Sequence, residues 1–305
     1  MIYDVVIIGG GPSGLSAAIY ASRAMLKTLL IEKKVCGGMM LATDRIDNYP
    51  GFNNGISGYE LSTRFEKQAR KFNVKLIYDE VISVEFNSFP KKVVTNDLTY
   101  EATTVIIATG MSFKKMNVPG ESKFIGKCIS FCAVCDAPFY KDKNVLVVGG
   151  GDSAVQEAIY LSKFAKKVTI IYRKKKLRAM KFLLEKMTLC KNISILYNSV
   201  IREIIGKDII EKIMIDNLKN NKSEYLYADA IFVFIGLIPN TSFIFNSNIL
   251  DEERHIVTTD DMSTSIPGIF SCGDVRKSKS KQIVIATSDG AQAAISAQNY
   301  IENKI

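Results

Sequence analysis

A repeated glycine-rich pattern constrains the fold of this chain more than any other feature. The segment 5–14, VVIIGGGPSG, recurs as VLVVGGGDSA at 145–154, an offset of 140 positions (145 − 5). Each copy is followed by a helical pattern that reaches Ala-Ile-Tyr and then by a second apolar run, at 28–31 and at 168–171. A buried strand, a glycine turn, a helix and another buried strand make a βαβ unit. The sequence therefore predicts two βαβ units of the same design.

Both copies carry the spacing Gly-x-Gly-x-x-Gly/Ala that binds the pyrophosphate of a dinucleotide. In the first copy Gly9 makes the tight turn, Gly11 lets backbone approach the pyrophosphate, and Gly14 permits close helix–strand packing. The helix N-terminus then faces the phosphate charge. One such motif is weak, whereas two in matched βαβ context predict two dinucleotide sites. The predicted contacts are Gly9, Gly11, Pro12, Ser13 and Gly14 in the first site and Gly149, Gly151, Asp152, Ser153 and Ala154 in the second.

The two copies differ at the position that selects between nucleotides. In the first copy Glu32 ends the second strand, where a carboxylate accepts hydrogen bonds from an unphosphorylated ribose. The same register in the second copy gives Tyr172, which the basic run RKKKLR follows. Arg173, Lys174 and Arg178 in this run would attract a ribose 2′-phosphate through charge-assisted hydrogen bonds of about 1.5–3 kcal/mol each. The alternative is a plain solvated lysine run, but the register against Glu32 favours NADPH.

A pair of cysteines, Cys132 and Cys135, precedes the second βαβ unit and is followed by Asp136. The two-residue spacer places the thiols within disulfide reach, and such short loops tend to be reducible. Half of a zinc site is the alternative, but the other cysteines form no second pair and His255 is the sole histidine. Dithiol exchange needs a proton donor and acceptor, for which Asp136 is the candidate. The other interpretation of Asp136, compatible with the first, is an N-cap for the segment after it.

The two nucleotide sites and the cysteine pair together predict one electron path. Dithiol chemistry driven by a nicotinamide needs a flavin, so FAD is predicted in the first site and NADPH in the second. The predicted catalytic residues are Cys132, Cys135 and Asp136, and no metal is expected.

Composition and charge bear on other functions. The net charge of +9 suggests nucleic-acid binding, but the basic residues concentrate between 141 and 191 without the interleaved aromatics of a base-stacking platform. The chain runs straight into a strand without a signal-peptide pattern, and the longest late apolar stretch, 230–238, is too short to span a bilayer. We therefore expect a cytoplasmic enzyme, not a nucleic-acid-binding or membrane protein.

The motifs together resemble those of the bacterial-type, low-molecular-weight thioredoxin reductases, a class II group of the pyridine nucleotide-disulfide oxidoreductase family. The resemblance runs over nearly the whole chain. Besides the two glycine turns and the CAVCD motif, the matching segments are Gly37-Gly38, Asp47-Asn48-Tyr49-Pro50-Gly51, Ala108-Thr109-Gly110, Ile235-Gly236, Cys272-Gly273-Asp274 and Gln282.

The resemblance implies an α/β fold of two Rossmann-like, three-layer ββα nucleotide-binding domains, the second inserted into the first. Residues 1–113 and 246–305 would form a discontinuous FAD domain, and residues 114–245 the NADPH domain that carries the CxxC motif. Hinges for the domain rotation used by this family are expected near 111–117 and 239–245.

The resemblance also implies roles for single residues. Cys135 would lie close to the flavin and Cys132 would attack the acceptor disulfide, with thioredoxin or a thioredoxin-like dithiol protein as partner. Asp274 would contact the ribityl chain, and the enzyme would be a homodimer. The further contacts implied are Gly37, Gly38, Met39, Asn48, Gly273, Gln282 and Ile283 for FAD, and Ile235 and Gly236 for NADPH.

Two departures from the family pattern bear on these contacts. Met39 stands where the family has Gln, so one flavin contact differs. The basic signature, usually His-Arg-Arg, reads Tyr172-Arg173-Lys174 with Arg178 beyond it, and Lys lacks the bidentate fork of Arg. Ferredoxin-dependent relatives have lost the second glycine motif and the basic cluster, and this chain keeps both. NADPH-driven reduction is therefore favoured over a ferredoxin-dependent reductase or a flavin dithiol oxidase.

Overall fold

The structure of the protein is a computed structural model that describes residues 1–42, 46, 48–245, 248–278 and 280–303. At positions 42, 134 and 135 it describes the backbone without the side chain, so the side chain of Cys135 lies outside the described residues. The chain divides into two compact units, one formed by Met1–Ser112 with Ile238–Ile305 and the other by Phe113–Leu237.

Strands and helices alternate along the chain in the order expected of nucleotide-binding α/β units. The first segment contains β1 (Ile2–Ile8), α1 (Pro12–Arg23), β2 (Thr28–Glu32), α2 (Gly58–Lys71), β3 (Lys75–Tyr78), β4 (Val81–Glu85), β5 (Lys91–Thr95), β6 (Thr99–Ile107) and β7 (Met111–Phe113). The second unit contains α3 (Glu121–Phe124), β8 (Ile129–Ser130), α4 (Ala133–Asp136), β9 (Asn144–Val148), α5 (Asp152–Leu161), β10 (Lys167–Tyr172), α6 (Lys181–Thr188), β11 (Ile193–Tyr197), β12 (Ser199–Ile205), β13 (Lys212–Asn217), β14 (Lys222–Leu226) and β15 (Ala230–Val233). The return to the first unit contains β16 (Leu237–Pro239), β17 (Ile269–Ser271) and α7 (Ile283–Glu302). Short 3-10 helices cover Gly38–Ala42, Ala137–Tyr140 and Gly273–Val275.

The first unit is built on a seven-stranded sheet of order β3-β2-β1-β6-β5-β4, with β17 also paired to β6. Strands β1, β2, β3, β6 and β17 are parallel, and β5 pairs antiparallel with both β6 and β4. Alternate residues of β1 enter two different cores: Val5 and Ile7 pack with α1 and α7, while Val6 and Ile8 pack on the opposite face. A strand buried on both faces must be apolar throughout, which explains the unbroken run of β1.

The second unit has the three layers that the resemblance implied. Its parallel sheet has the order β11-β10-β9-β15-β8, and β12, β13 and β14 form a separate antiparallel sheet. Val147 and Phe232 share a core with residues of α5, while Leu146 and Ile231 share another with Ile213 of the antiparallel sheet. Helices, a parallel sheet and an antiparallel sheet are therefore stacked in that order.

The βαβ repeat read from the sequence is confirmed in register. Ile8 pairs with Ile31 in the first unit, and Val148 pairs with Ile171 at the positions 140 further on. Both pairs lie directly before the glycine turns, so the turns begin at the same end of each sheet.

Two neighbouring strands connect the units. The chain leaves the first unit after Ser112 and returns at Ile238, and β7 and β16 pair in a two-stranded sheet. Phe243 and Ile244 pack in the core of the first unit, so residues 238–245 join that unit in the structure. Within the described residues, no helix has the length and apolar character needed to cross a membrane.

Candidate active site

The first glycine turn joins β1 to α1 and leaves one side open. Gly9 has a φ of 104°, and its N–H donates to the carbonyl oxygen of Ile31 at 2.8 Å. A Cβ on Gly14 would overlap the carbonyl oxygen of Gly9, so glycine is required for α1 to lie this close. A Cβ on Gly11, the N-cap of α1, would meet no atom within 4 Å. This open side, next to the first N–H groups of the helix, suits a pyrophosphate.

Glu32 lies beside this turn, as predicted. Its Oε2 accepts the N–H of Gly10 at 2.7 Å, and its Oε1 accepts the N–H of Lys34 at 3.0 Å. These two bonds fix the half-buried carboxylate at the end of β2 and leave lone pairs for further donors. An open cradle with a fixed carboxylate fits an adenine dinucleotide whose ribose carries no phosphate.

The predicted glycine pair packs against the same turn. The N–H of Gly37 donates to the carbonyl oxygen of Gly10 at 2.8 Å, and a Cβ on Gly38 would lie 3.4 Å from Cα of Gly11. Met39 follows in the 3-10 helix and is half-buried. The structure therefore brings this segment to the cradle of Gly11.

Two predicted flavin contacts, Asn48 and Gln282, meet each other directly. Nδ2 of Asn48 donates to Oε1 of Gln282 at 3.0 Å. Gln282 is the N-cap residue of α7, and Ile283 begins that helix and packs against the cluster that contains Met40 and Leu61.

Asp274 lies in the 3-10 helix that follows β17. The turn at Gly273 lies against α1, since a Cβ on Gly273 would overlap Oγ of Ser13. Asp274 is half-buried, and burial raises the pKa of its carboxyl group. Ser13 and Gly273, two predicted FAD contacts far apart in sequence, are thus brought together.

Two cations that the sequence analysis missed tie this segment together. Nζ of Lys281 donates to the carbonyl oxygens of Asp274 and Arg276, each at 2.7 Å. Nε of Arg276 binds Oδ2 of Asp289 at 2.6 Å, and Asp289 also accepts the N–H of Gly273 at 3.2 Å while being only 6% exposed. Burial lowers the pKa of Lys281. No linear signature separates these two cations from surface lysines and arginines.

The second glycine turn joins β9 to α5 and repeats the geometry of the first. Gly149 has a φ of 144°, and Gly151 is the N-cap of α5. A Cβ on Gly150 would overlap the ring of Tyr172, just as one on Gly10 would approach the carboxylate of Glu32. Tyr172 therefore fills the place that Glu32 occupies in the first unit, as the register predicted.

The other predicted residues of the second site surround this turn. Asp152, Ser153 and Ala154 form the first turn of α5, where Ala154 is buried and Ser153 is exposed. A Cβ on Gly149 would overlap the carbonyl oxygen of Phe234, and Ile235 and Gly236 follow that residue directly. Gly236 has a φ of 117°.

The basic loop after β10 returns to the second turn. The N–H of Arg178 donates to the carbonyl oxygen of Gly150 at 2.8 Å, and its Nε lies 3.6 Å from the place of a Cβ on Gly151. Arg173, Lys174 and Arg178 are exposed, and among the described residues the structure records no ion pair for them. The exposed guanidinium of Arg178, beside the N-terminus of α5, fits a phosphorylated ribose.

Cys132 is disulfide-bonded and directly precedes α4. Its N–H donates to Oγ of Ser130 at 3.0 Å, and its carbonyl oxygen accepts the N–H of Asp136 at 3.3 Å. The backbone of Cys135 lies in α4, and its side chain is outside the described residues.

Asp136 is half-buried at the junction of α4 and the following 3-10 helix. It is the N-cap residue of that helix, yet its side chain makes no capping hydrogen bond to the described residues. The structure thus supports the capping position but not the capping bond. The pKa of Tyr140 is raised to about 12, mainly by burial and further by the charges of Cys128 and Asp136. The Tyr140 hydroxyl donates a hydrogen bond to the carbonyl oxygen of Lys127 at 2.8 Å.

The four remaining cysteines are free: Cys36, Cys128, Cys190 and Cys272. Burial raises the pKa of the Cys36 and Cys272 thiols to about 12, which keeps both protonated and poorly nucleophilic near neutral pH. Across the described part of the chain, no three His, Cys, Asp or Glu side chains gather as a metal site.

The fold and the site define an oxidoreductase with two dinucleotide cradles and a disulfide-bonded cysteine in a CxxC motif. Residues 3–290 match the family described as pyridine nucleotide-disulphide oxidoreductase, and the chain belongs to that family. It is 41% identical over 300 residues to the thioredoxin reductase of Treponema pallidum, covering 98% of this chain and 97% of that protein. It is 43% identical to the thioredoxin reductase of Bacillus subtilis, covering 99% and 95% of the two chains. The crystal structure of Lactococcus lactis thioredoxin reductase in its FR conformation superposes with a TM-score of 0.88 at 40% identity, covering 99% of each chain.

These findings confirm the family, the α/β fold with two Rossmann-like units, and the cofactors FAD and NADPH that the sequence predicted. The residue assignments within the two cradles and the CxxC motif stay predictions, which the local geometry above supports.

Proposed function

We propose that this chain passes an electron pair from NADPH, through FAD and the Cys132/Cys135 dithiol, to thioredoxin or a thioredoxin-like protein. One observation carries the proposal: two glycine turns of the same geometry have opposite charges beside them, Glu32 in one unit and Arg178 in the other. The relatives that are named thioredoxin reductase support the acceptor. The predicted enzyme class, a thioredoxin-disulfide reductase that uses NADPH, is confirmed by the family and these relatives.

The residues present fit both cofactors. In the first unit the open cradle and Glu32 would hold the adenosine half of FAD, and Asp274 and Gln282 the flavin half. In the second unit Gly151 would leave room for the pyrophosphate of NADPH and Arg178 would bind the 2′-phosphate. When bound, FAD supplies the conversion of a hydride from NADPH into an electron pair that reduces a disulfide.

The cysteine pair then carries out thiol–disulfide exchange. We assign Cys135 as the disulfide partner of Cys132 from the two-residue spacing and because the other four cysteines are free. In the reduced enzyme the Cys132 thiolate attacks one sulfur of the acceptor disulfide, which forms a mixed disulfide and releases the second acceptor sulfur as a thiolate. Cys135 then attacks Cys132, re-forms the enzyme disulfide and releases the acceptor dithiol. Asp136 supplies a proton to the first departing thiolate, and the proton that the Cys135 thiol loses on attack goes to the second. The acceptor gains two electrons and two protons.

The two compact units are assigned to the two cofactors on the same grounds. The unit of Met1–Ser112 with Ile238–Ile305 holds the cradle with Glu32 and is the FAD domain, and Phe113–Leu237 holds the basic loop and is the NADPH domain. We propose that the protein works as a cytoplasmic homodimer, and that its domains rotate about the two crossings between the units, as the resemblance implies.

An anaerobic titration tests this function. The purified oxidised flavoprotein should bleach promptly in its flavin absorbance band on addition of NADPH, and adding oxidised thioredoxin should restore the band. A protein that ignores NADPH but is reduced by ferredoxin would replace this proposal with the ferredoxin-dependent reaction. Peroxide release without thioredoxin turnover would indicate a dithiol oxidase, and a colourless protein with salt-dependent duplex binding would indicate a nucleic-acid-binding protein.

A further inference from the structure

We infer that Asp152 sets the preference for NADPH over NADH by holding the loop that carries Arg178, in place of the direct nucleotide contact that the sequence predicted for it. The inference rests on the proposed function, in which Arg178 binds the 2′-phosphate.

The backbone is fixed on both sides of Arg178. Oδ1 of Asp152 accepts the N–H of Met180 at 2.7 Å, across 28 positions of sequence. The N–H of Arg178 itself donates to the carbonyl oxygen of Gly150 at 2.8 Å. Leu177, just before Arg178, is only 5% exposed and packs in the core beneath α5. The loop is therefore tied to the glycine turn at 178, to α5 at 180 and to the core at 177.

These anchors hold the Arg178 side chain at the second glycine turn. Nε of Arg178 lies 3.6 Å from the place of a Cβ on Gly151, at the edge of the cradle that would admit the pyrophosphate, and from this edge the proposed function has the guanidinium bind the 2′-phosphate. Arg178 is exposed and has no ion pair among the described residues, so its charge is available to a ligand. An arginine fork binds phosphate well only in a defined orientation, and a loop free to move would lose that geometry.

The charge of Asp152 favours an indirect role. A carboxylate in the first turn of a helix stabilises that helix, but it repels a phosphate bound at the same terminus. Asp152 instead uses Oδ1 for the backbone N–H of Met180. Asp152 can therefore favour the binding of an anionic ligand only indirectly, by ordering the loop that carries Arg178.

The first unit provides an internal comparison. There Pro12 stands at the position equivalent to Asp152 (152 − 140 = 12) and has no side-chain acceptor. The returning loop is held to the turn by the same kind of backbone bond, from the N–H of Gly37 to the carbonyl oxygen of Gly10 at 2.8 Å. The loop that carries Arg178 therefore has a second anchor, the bond to Asp152. The loop that carries Gly37 lacks this anchor, because Pro12 stands at the equivalent position.

The inference is tested by binding, which avoids any dependence on turnover. Dissociation constants of NADP⁺ and NAD⁺ are measured by calorimetry on the oxidised holoprotein. Asp152→Ala should lower the NADP⁺/NAD⁺ affinity ratio about five- to ten-fold, which is the worth of about one hydrogen bond. Asp152→Asn keeps an acceptor oxygen and should retain the ratio within about three-fold on the same scale.

A second variant removes the same bond from its other end. Met180 has a φ of −57°, which proline can adopt, so Met180→Pro deletes the N–H donor while leaving Asp152 in place. It should lower the ratio as Asp152→Ala does. Asp229→Ala is the matched control, because Asp229 also accepts a backbone N–H, from Asn144 at 2.9 Å, at the opposite end of β9. That control should leave the ratio unchanged.

A double-mutant cycle with Arg178→Ala decides between indirect and direct action. If Asp152 acts through Arg178, then Asp152→Ala changes the ratio no further in the Arg178→Ala background. An equal loss in both backgrounds, or an equal weakening of NADP⁺ and NAD⁺ by Asp152→Ala, would overturn the inference. A wild-type protein without preference for NADP⁺, and with no response to Arg178→Ala, would instead contradict the proposed function.

Discussion

Asn48 and Gln282 are 234 positions apart in the chain, yet Nδ2 of Asn48 donates a hydrogen bond to Oε1 of Gln282 at 3.0 Å. Gln282 is the N-cap residue of α7, so the bond joins the segment after the first 3-10 helix to the last helix of the same unit. Two residues that are expected to contact the same flavin ring are therefore hydrogen-bonded to each other within the protein, and each limits the movement of the other.

The coupling of this pair is measurable as FAD retention. Asn48→Ala and Gln282→Ala should each speed FAD release about five-fold, the effect of one neutral hydrogen bond of about 1 kcal/mol. Because either change removes the shared bond, the double variant should release FAD less than about 25-fold faster than wild type. The release rates are measured by flavin fluorescence after dilution into a buffer that contains an apoprotein to trap released FAD. If the fold-changes of the two single variants multiply fully in the double variant, the bond does not couple the two residues.

The two cysteines should separate flavin reduction from dithiol turnover. Cys135→Ser should keep its flavin and its bleaching by NADPH but lose thioredoxin reduction by at least about a thousand-fold, since no enzyme disulfide can form. Cys190→Ser, at a free and half-buried cysteine, serves as the control and should turn over normally. Undiminished thioredoxin reduction by Cys135→Ser would refute the assignment.

Lys281 should be a determinant of FAD retention. Lys281→Met removes two hydrogen bonds from a half-buried ammonium to the carbonyl oxygens of Asp274 and Arg276, so the turn that carries Asp274 should loosen. We expect FAD release about ten-fold faster, corresponding to about 1.4 kcal/mol. Lys281→Arg should restore part of the loss. Lys277 is largely exposed, so Lys277→Met should not change the rate of FAD release. If Lys277→Met speeds FAD release as much as Lys281→Met does, the effect is due to surface charge.

Glu157 should make the second unit less stable as pH rises. Oε2 of Glu157 has no hydrogen-bond partner among the described residues, and burial raises the pKa of its carboxyl group to about 7 from an ordinary value of 4.5. Between these values the folded protein binds more protons than the unfolded chain, so stability falls as pH rises from about 4.5 to 7, and the loss is complete above that window.

Glu157→Gln removes this penalty. Its thermal unfolding midpoint should exceed that of wild type at pH 8, by the equivalent of about 1–3 kcal/mol, and should approach the wild-type value near pH 5. Glu185→Gln, on the exposed face of α6, should show no such pH-dependent difference. A gain by Glu157→Gln that is the same at both pH values would indicate a packing effect and not a buried charge.

Local spacing explains why the two cradles could be predicted from sequence. The turns at Gly9 and Gly149 need fixed glycine positions within a few residues, and Glu32 and Tyr172 follow at a set distance along one strand. The basic loop was recognisable for the same reason, because Arg178 lies just beyond that strand.

Long-range pairing explains what could not be predicted. Asp289 binds Arg276 from a position on α7, and the bond of Asp152 is to a backbone N–H that leaves no mark in the side-chain pattern. The return of the chain to the first unit shows the same limit. Phe243 is an apolar residue in a turn-rich stretch, and only the folded core reveals which unit it joins.

The pairing of β7 with β16 has a consequence for protein engineering. Because the two strands are neighbours, the ends left by excising Phe113–Leu237 would emerge side by side, within reach of a linker of a few residues. The inserted unit thus begins and ends at two paired strands. A homologous unit with a different coenzyme preference could replace it by joining the chain at these two positions, without any other change of connectivity in the FAD-binding unit.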